Sequence, residues 1–504
     1  MSRCAMLVLL ICSFSSSVLA SESPKSAVED YTRADMQQHW NCFTASDAQA
    51  RKQQVERDML PRVVFAGEVQ PASVESRMAK YKTPALSVAV IHNGELDWSA
   101  AWGQLQVDGA RAGCDSLFQA GSLAKPVTLL AALRMQQEGL IDFDKNIETY
   151  LSSYHLPAGR QTDASPVTFR NLFAHSAGIT PGGYDGYAQG QPVPTDQQTV
   201  RAEAPSNSRK VEVLNAPNTS LAYSGGGYTV IEIALQDRLR QPFEQVMREW
   251  VISPVGMKQA DFTQPPPASS YQRSARGYQT DGSGVPGGWH NHPEQAAAGL
   301  WATASDMAAF LLEIHRGYNG KSKVFTQASI RELLEKPIDG HAYGFRLIGE
   351  GDQVFITHYG GTIGYRAGMT LNLRTGDGAV YLNNSDNGAD LGVEFFNAVS
   401  RIYHWAAFRE VQVKRVTQAV DVLQSLAGRY LFAEQDWTVS VVYENDALTL
   451  VFPNGDRYAM TPIQGAPREF IHPDTGVRAS FEGEGADMRI QLYGQTGQRQ
   501  ALGE

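Results

Sequence analysis

Ser122 and Lys125 stand three residues apart in Phe118-Gln119-Ala120-Gly121-Ser122-Leu123-Ala124-Lys125, at the head of an apolar run. A hydroxyl and an amine at that spacing face each other only on a helical turn. The residues that follow Pro126, Val127 to Met135, read as a buried helix. Gly121 ends the preceding segment and lets the backbone turn into that helix. Ser122 therefore falls at a helix N-terminus, where unpaired N–H groups and the positive end of the dipole favour a developing anion. A desolvated Lys125 gives up its proton readily and serves the hydroxyl as a base. Ser and Lys are common, and a bare match is usually solvated helix surface. The apolar run after the lysine is what sets this one apart.

With 504 residues, the chain has room for a large core and more than one domain. The formal net charge of −10, without a basic run, argues against nucleic acid and against an anionic membrane surface as partners. Residues 1–20 carry one charge, Arg3, then an apolar stretch from Ala5 to Cys12 and a small-residue end, Val18-Leu19-Ala20. This reads as an export signal cut after Ala20, and the stretch is too short to span a bilayer. The expected location is secreted or periplasmic, with no membrane span after cleavage. Two cysteines then remain, Cys42 and Cys114. In an oxidising compartment they can pair, or they lie apart as buried thiols. Neither sits in C-x-x-C, so neither suggests metal or redox chemistry.

Residues 21–75 look like a polar, helical N-terminal extension. Leu86 to Ile91 is a strand, His92-Asn93-Gly94 a hairpin turn, and Glu95 to Trp102 the return strand. The Ser122 helix ends near Gly139. Residues 154–215 are rich in loops. Residues 228–250 and 303–316 read as helices, the second with Thr303 and Asp306 in a capping arrangement. Residues 353–385 alternate like sheet strands. From about 415 the texture changes to short alternating segments, such as Thr438–Tyr443 and Ala447–Phe452, which imply a small antiparallel β-barrel. Trp437, Tyr443 and Phe470 are its candidate packing anchors.

Two further motifs follow the Ser122 helix. One is Tyr223-Ser224-Gly225, just before a helix; the other is His358-Tyr359-Gly360-Gly361, at a strand end. With S-x-x-K they resemble the three-motif set of the penicillin-recognising serine hydrolases. The nearest variant is the class C β-lactamase-like family, which includes D,D-peptidases, D-aminopeptidases and esterases. The likeness covers roughly residues 76–408 and extends to Leu172–Gly178, Pro254–Met257, Gly299–Thr303 and Asn383–Gly388, all in family order.

The resemblance implies an α/β sandwich, an antiparallel sheet flanked by helices plus an all-helical subdomain, over residues 76–410. The small all-β domain spans 415–504. Ser122 would be the acylated nucleophile, with Lys125 and Tyr223 moving its proton. The backbone N–H groups of Ser122 and Gly361 would form the oxyanion hole. His358, Gly360 and Gly225 would line the substrate site, the glycines of the His358–Gly361 strand letting a substrate backbone approach. The implied partner is a small-molecule or peptide substrate, and no cofactor is implied.

Two departures bear on the substrate. The usual Y-x-N is here Tyr223-Ser224-Gly225, so no side-chain amide is offered. His358 stands where many relatives have Lys, which removes a permanent cation. Both favour an amide, D-peptide or ester over good β-lactam turnover. A carboxylesterase on the same scaffold, or a catalytically silent relative that binds cell-wall peptides, are the competing readings. Other signals fail: Gly225-Gly226-Gly227 lacks the rest of a P-loop, and His290-Asn291-His292 lacks the helical spacing of a zinc pair, so no metal is expected. No Gly-x-Ser-x-Gly surrounds Ser122 or Ser224.

Overall fold

The computed structural model describes residues 42–68, 71–334, 341–433, 437–465 and 468–500. The predicted export segment lies outside them. None of the described helices is long and apolar enough to cross a membrane.

The strand signals resolve into one antiparallel sheet. β1 (Ala85–His92) and β2 (Glu95–Gly103) form the hairpin. Its turn residues, Asn93 at φ 52° and Gly94 at φ 78°, are both left-handed, as a two-residue turn that follows the strand twist requires. β3 (His341–Ala342), β4 (Phe345–Ile348), β5 (Phe355–Thr362), β6 (Tyr365–Asn372) and β7 (Gly378–Asn383) complete it. The order is β2-β1-β7-β6-β5-β4-β3, so the sheet joins the two ends of this region through the β1–β7 pair.

β1 is buried almost throughout because helices cover both faces of the sheet. Its residues alternate between two cores. Ala85, Ala89 and Ile91 face a large core shared with α3 (Ala124–Gln137), α4 (Gly225–Leu239) and α6 (Ala304–Tyr318). Leu86, Val88 and Val90 face a second core with α1 (Gln49–Arg57), α2 (Val74–Lys80) and α7 (Gly388–Ile402). The Thr303–Asp306 capping box forms at the head of α6. Cys42 and Cys114 are joined by a disulfide, which ties the N-terminal segment to the stretch leading to Ser122.

The C-terminal region is a closed eight-stranded barrel. It runs through β8 (Gly428–Phe432), β9 (Trp437–Glu444), β10 (Ala447–Val451), β11 (Arg457–Pro462), β12 (Glu469–Ile471), β13 (Arg478–Glu482), β14 (Arg489–Leu492) and β15 (Gln495–Arg499). β15 closes on β8 and leaves no open edge. Of the expected anchors, Phe470 is fully buried, and Trp437 stacks on Phe432 with ring centroids 4.5 Å apart. Tyr443 is only half-buried, its hydroxyl turned to Asp446 at the hairpin tip. The barrel is joined to the rest by a small seam: Val63–Phe65 pairs in parallel with Val411–Val413 over Ile463 and Ile471. The Lys80–Asp474 and Arg415–Glu68 ion pairs flank it.

Candidate active site

A short strand sets the nucleophile in place. Phe118-Gln119 pairs with Trp301-Ala302, and the Ala120 N–H donates to the Leu300 carbonyl at 2.9 Å. Gly121 then turns the chain at φ 51°, and Gly121–Leu123 forms a single 3₁₀ turn that runs into α3. Pro126 lies in the first turn of α3, where its missing N–H costs no intrahelical bond. Ser122 is half-buried, whereas Lys125 is 2% exposed.

Lys125 Nζ donates to Ser122 Oγ at 3.3 Å and to the Ala297 carbonyl at 2.8 Å. The carbonyl comes from α5 (Gln295–Ala298), a single turn packed against α3 and α4. Nζ also lies 5.0 Å from the Tyr223 ring centroid and 5.4 Å from that of Tyr228. Tyr223 precedes α4, whose N-cap, Ser224, accepts from the Gly227 N–H at 2.8 Å. Tyr223 is 48% exposed, the accessible face of an otherwise buried group.

β5 forms the opposite wall. β4 pairs with it only over Phe355–Thr357, so the edge of His358–Thr362 is open toward the Ser122 turn. The backbones there nearly touch: a Cβ on Gly121 would lie 2.7 Å from the Gly361 nitrogen, and one on Gly360 would lie 3.1 Å from the Ser122 nitrogen. The two amides expected to cradle an oxyanion thus lie on facing backbones.

The glycine assignments need correction. Gly360 is buried against Ala120, and its missing side chain admits the Ser122 turn, not a substrate. Gly225 is buried too. A Cβ there would meet the Tyr184 ring at 3.0 Å and the Gly182 carbonyl at 3.2 Å, so Tyr184 and the Gly182 backbone occupy the space beside it. Neither glycine offers a contact surface to a ligand. Gly361 and Tyr359 are exposed, and His358 is partly so.

The imidazoles beside Lys125 are neutral. His358 Nδ1 donates to the Tyr359 carbonyl at 2.8 Å, and burial, aided by the Lys125 charge, pushes this group down to about 3. His358 therefore supplies no cation at neutral pH. His175 was legible only as part of a longer run and had no assigned role. It holds a left-handed backbone at φ 55°, and its ring packs 4.3 Å from the Tyr223 ring. Its Nδ1 accepts from the Ser224 N–H at 3.1 Å, so the proton sits on Nε2. Burial, then the Lys125 charge, holds this imidazole well below its ordinary range. Tyr184 and the Ala297 carbonyl were likewise missed, because neither carries a local sequence signal.

Comparisons with known proteins identify the family. Over residues 72–398 the chain matches the family model described as Beta-lactamase. It is 25% identical over 289 residues to a "Beta-lactamase" of Lysobacter lactamgenus, covering 56% of this chain and 66% of that one. It is 23% identical over 220 residues to "Protein flp" of Staphylococcus aureus strain MW2, covering 42% and 41%. The chain thus spans less than two thirds of these relatives. Among solved structures, the octameric penicillin-binding protein homologue from Pyrococcus abyssi superposes with TM-score 0.59 at 18% identity, covering 84% of this chain and 98% of that one. The Beta-lactamase/D-alanine Carboxypeptidase from Yersinia pestis, complexed with citrate, gives 0.53 at 17% identity, covering 72% and 100%. With its profile matched over most of the length and its fold shared with these structures, the chain belongs to the beta-lactamase family.

Proposed function

We propose that this protein is an exported serine hydrolase that works through an acyl-enzyme on Ser122 and acts on a small ester, amide or D-peptide. The observation that carries the reading is the Ser122 hydroxyl bonded to a buried amine at 3.3 Å, opposite the Gly361 amide.

The geometry supports a two-step sequence. Ser122 Oγ attacks the substrate carbonyl carbon while its proton passes to the Lys125–Tyr223 pair. The carbonyl oxygen takes the negative charge and is met by the Ser122 and Gly361 N–H groups. The C–N or C–O bond to the leaving group breaks, and the leaving group takes the proton, with the exposed Tyr223 phenol placed to hand it over. Water then adds to the ester on Ser122 and releases the acid. The Ala297 carbonyl and the Ser122 hydroxyl fix Nζ from two sides, so the lysine acts from one position rather than as a mobile charge.

Substrate preference follows from what the cleft lacks. With Gly225 covered by Tyr184, no side-chain amide is presented at that position. With His358 neutral, that position offers no fixed cation to a substrate carboxylate. This disfavours β-lactams and carboxylate-terminated peptides relative to neutral esters and amides. Export is supported by the charged-apolar-small pattern of residues 1–20 and by the Cys42–Cys114 bond, which belongs in an oxidising compartment. A panel of p-nitrophenyl esters, D-amino-acid amides, D-Ala-D-Ala peptides and nitrocefin, assayed on the unaltered protein, tests the reading. Neutral esters or amides should lead in kcat/KM. Nitrocefin as the best substrate would overturn the preference, and no turnover of any would leave the binding-protein reading.

A further inference from the structure

Behind Lys125 lies a set of buried polar groups that the chemistry above does not use. Glu232 on α4, Glu294 and His292 all have relative exposures of 0%. His292 Nδ1 stands 3.9 Å from Glu294 Oε2, beyond hydrogen-bond reach, and neither side chain has a hydrogen-bonded partner. Glu232 differs from them. Its Oε2 accepts from the Ala296 N–H at 2.9 Å. The carbonyl of the next residue, Ala297, is the one that holds Lys125 Nζ.

α5 needs such a contact. It is four residues long; Gln295 N–H donates to the Pro293 carbonyl at 2.8 Å, Ala297 and Ala298 N–H to the Glu294 carbonyl at 3.1 and 2.9 Å, and Gly299 N–H to the Gln295 carbonyl at 2.9 Å, which leaves the Ala296 amide without a backbone acceptor. A one-turn helix has little stability of its own. Its position must come from neighbours, and Glu232 reaches it from the middle of a long helix. That helix starts immediately after Tyr223 and Ser224. One side chain therefore links the element carrying Tyr223 to the element that fixes Lys125.

A carboxyl at this depth is costly, and an apolar side chain would fill the space more cheaply. Burial, then the nearby Asp196 charge, pushes Glu232 well above the usual carboxylate range. We propose that Glu232 is a positioning residue: it pins the Ala296 amide so that α5 presents the Ala297 carbonyl to Lys125 and holds the amine against Ser122. The proposal rests on the hydrolase reading for its kinetic consequence and on geometry alone for its structural one.

The test uses Glu232→Gln, Glu232→Asp and Glu232→Leu in the full chain, with p-nitrophenyl acetate as the probe. Gln keeps a neutral acceptor of the same reach. Asp is one methylene too short, and Leu has no acceptor. Leu and Asp should lower kcat roughly ten- to a hundredfold, the range for a buried donor left unpaired, with KM little changed. Gln should rescue most of that loss. Hydrogen exchange of the 292–300 segment should quicken in Leu and Asp and stay slow in Gln. Asp carries the test if Leu does not fold. Wild-type kcat in Asp or Leu, a loss confined to KM, or failure of Gln to rescue overturns the proposal, as does an exchange pattern unchanged by Leu and Asp. Absence of Ser122-dependent turnover in the unaltered protein overturns the hydrolase reading instead, and the exchange contrast then still judges the positioning role.

Discussion

Two adjacent glycines on β5 should respond in opposite ways to a single methyl group. A Cβ on Gly360 would be driven into the Ala120 carbonyl oxygen, closer than any real carbon contact, and would lie 3.1 Å from the Ser122 nitrogen. Both neighbours are backbone, so no side-chain rotation relieves the clash. The strand or the Ser122 turn must give by about 1 Å, and a displacement of that order at a reacting centre costs roughly a hundredfold in rate. If the shift also takes one oxyanion donor out of reach, the loss rises to about 10²–10³. Overpacking adds about 1–3 kcal/mol of destabilisation. On Gly361 the added methyl would meet the Arg366 side chain at 3.3 Å, which need yield by only a few tenths of an ångström. Gly361→Ala should therefore keep its N–H in place and acylate within about threefold of wild type, well under one hydrogen bond's worth. The assay is the acylation rate of each variant with an activated ester, alongside thermal unfolding. Gly360→Ala acylating at the wild-type rate, or Gly361→Ala failing equally while folded, would refute the packing of β5 against the Ser122 turn.

Lys125→Met should abolish acylation, and Lys125→Arg should not rescue it, because a guanidinium stays protonated. In a Lys125/Tyr223 double-mutant cycle the losses should be strongly sub-additive, and additive losses would count against a shared proton path. Cys42 and Cys114 lie 72 residues apart, so replacing both with serine should cost about 4 kcal/mol in the chain-entropy model, read by denaturant unfolding. Burial, reinforced by Asp196 and Asp185, raises Glu294 to about 8. Because the unfolded carboxyl ionises near its ordinary 4.5, folding loses stability progressively from there up to about 8. Glu294→Gln should thus grow more stable relative to wild type across that window, by up to ~5 kcal/mol at the alkaline end, and a pH-independent difference would show the carboxyl is not neutral. His292, which burial pushes down to about 3, acts in the other direction. Its contribution is full above the unfolded value of 6.5 and is lost as pH falls toward 3.

Much of the fold was legible because its signals are local. Asn93-Gly94 between two alternating runs fixes a hairpin, and Thr303 with Asp306 fixes a helix start. The short alternating segments after residue 415 fix an antiparallel barrel. The Ser122–Lys125 pair was legible for the same reason, since one helical turn sets its geometry. What escaped depends on distant segments meeting. Val63–Phe65 has no periodicity of its own and becomes a strand only beside Val411–Val413. Gly360 reads as an opening for a substrate and Gly225 as part of its site, yet the Ala120 carbonyl and the Tyr184 ring take those spaces. Glu232 and Glu294 look like solvated charges in sequence, but the packing of α4 against α5 buries them. Tyr184 lies in a Gly-Pro-rich loop, where no pattern tells which residue turns inward.

The most direct test of the acyl-enzyme is the mass of the protein after brief exposure to a fluorophosphonate and, separately, to an activated ester at low pH to slow its release. One covalent adduct per chain is expected, mapped by peptide sequencing to Ser122 and absent from a folded Ser122→Ala variant. An adduct that persists in Ser122→Ala, or that maps to another residue, would contradict the account.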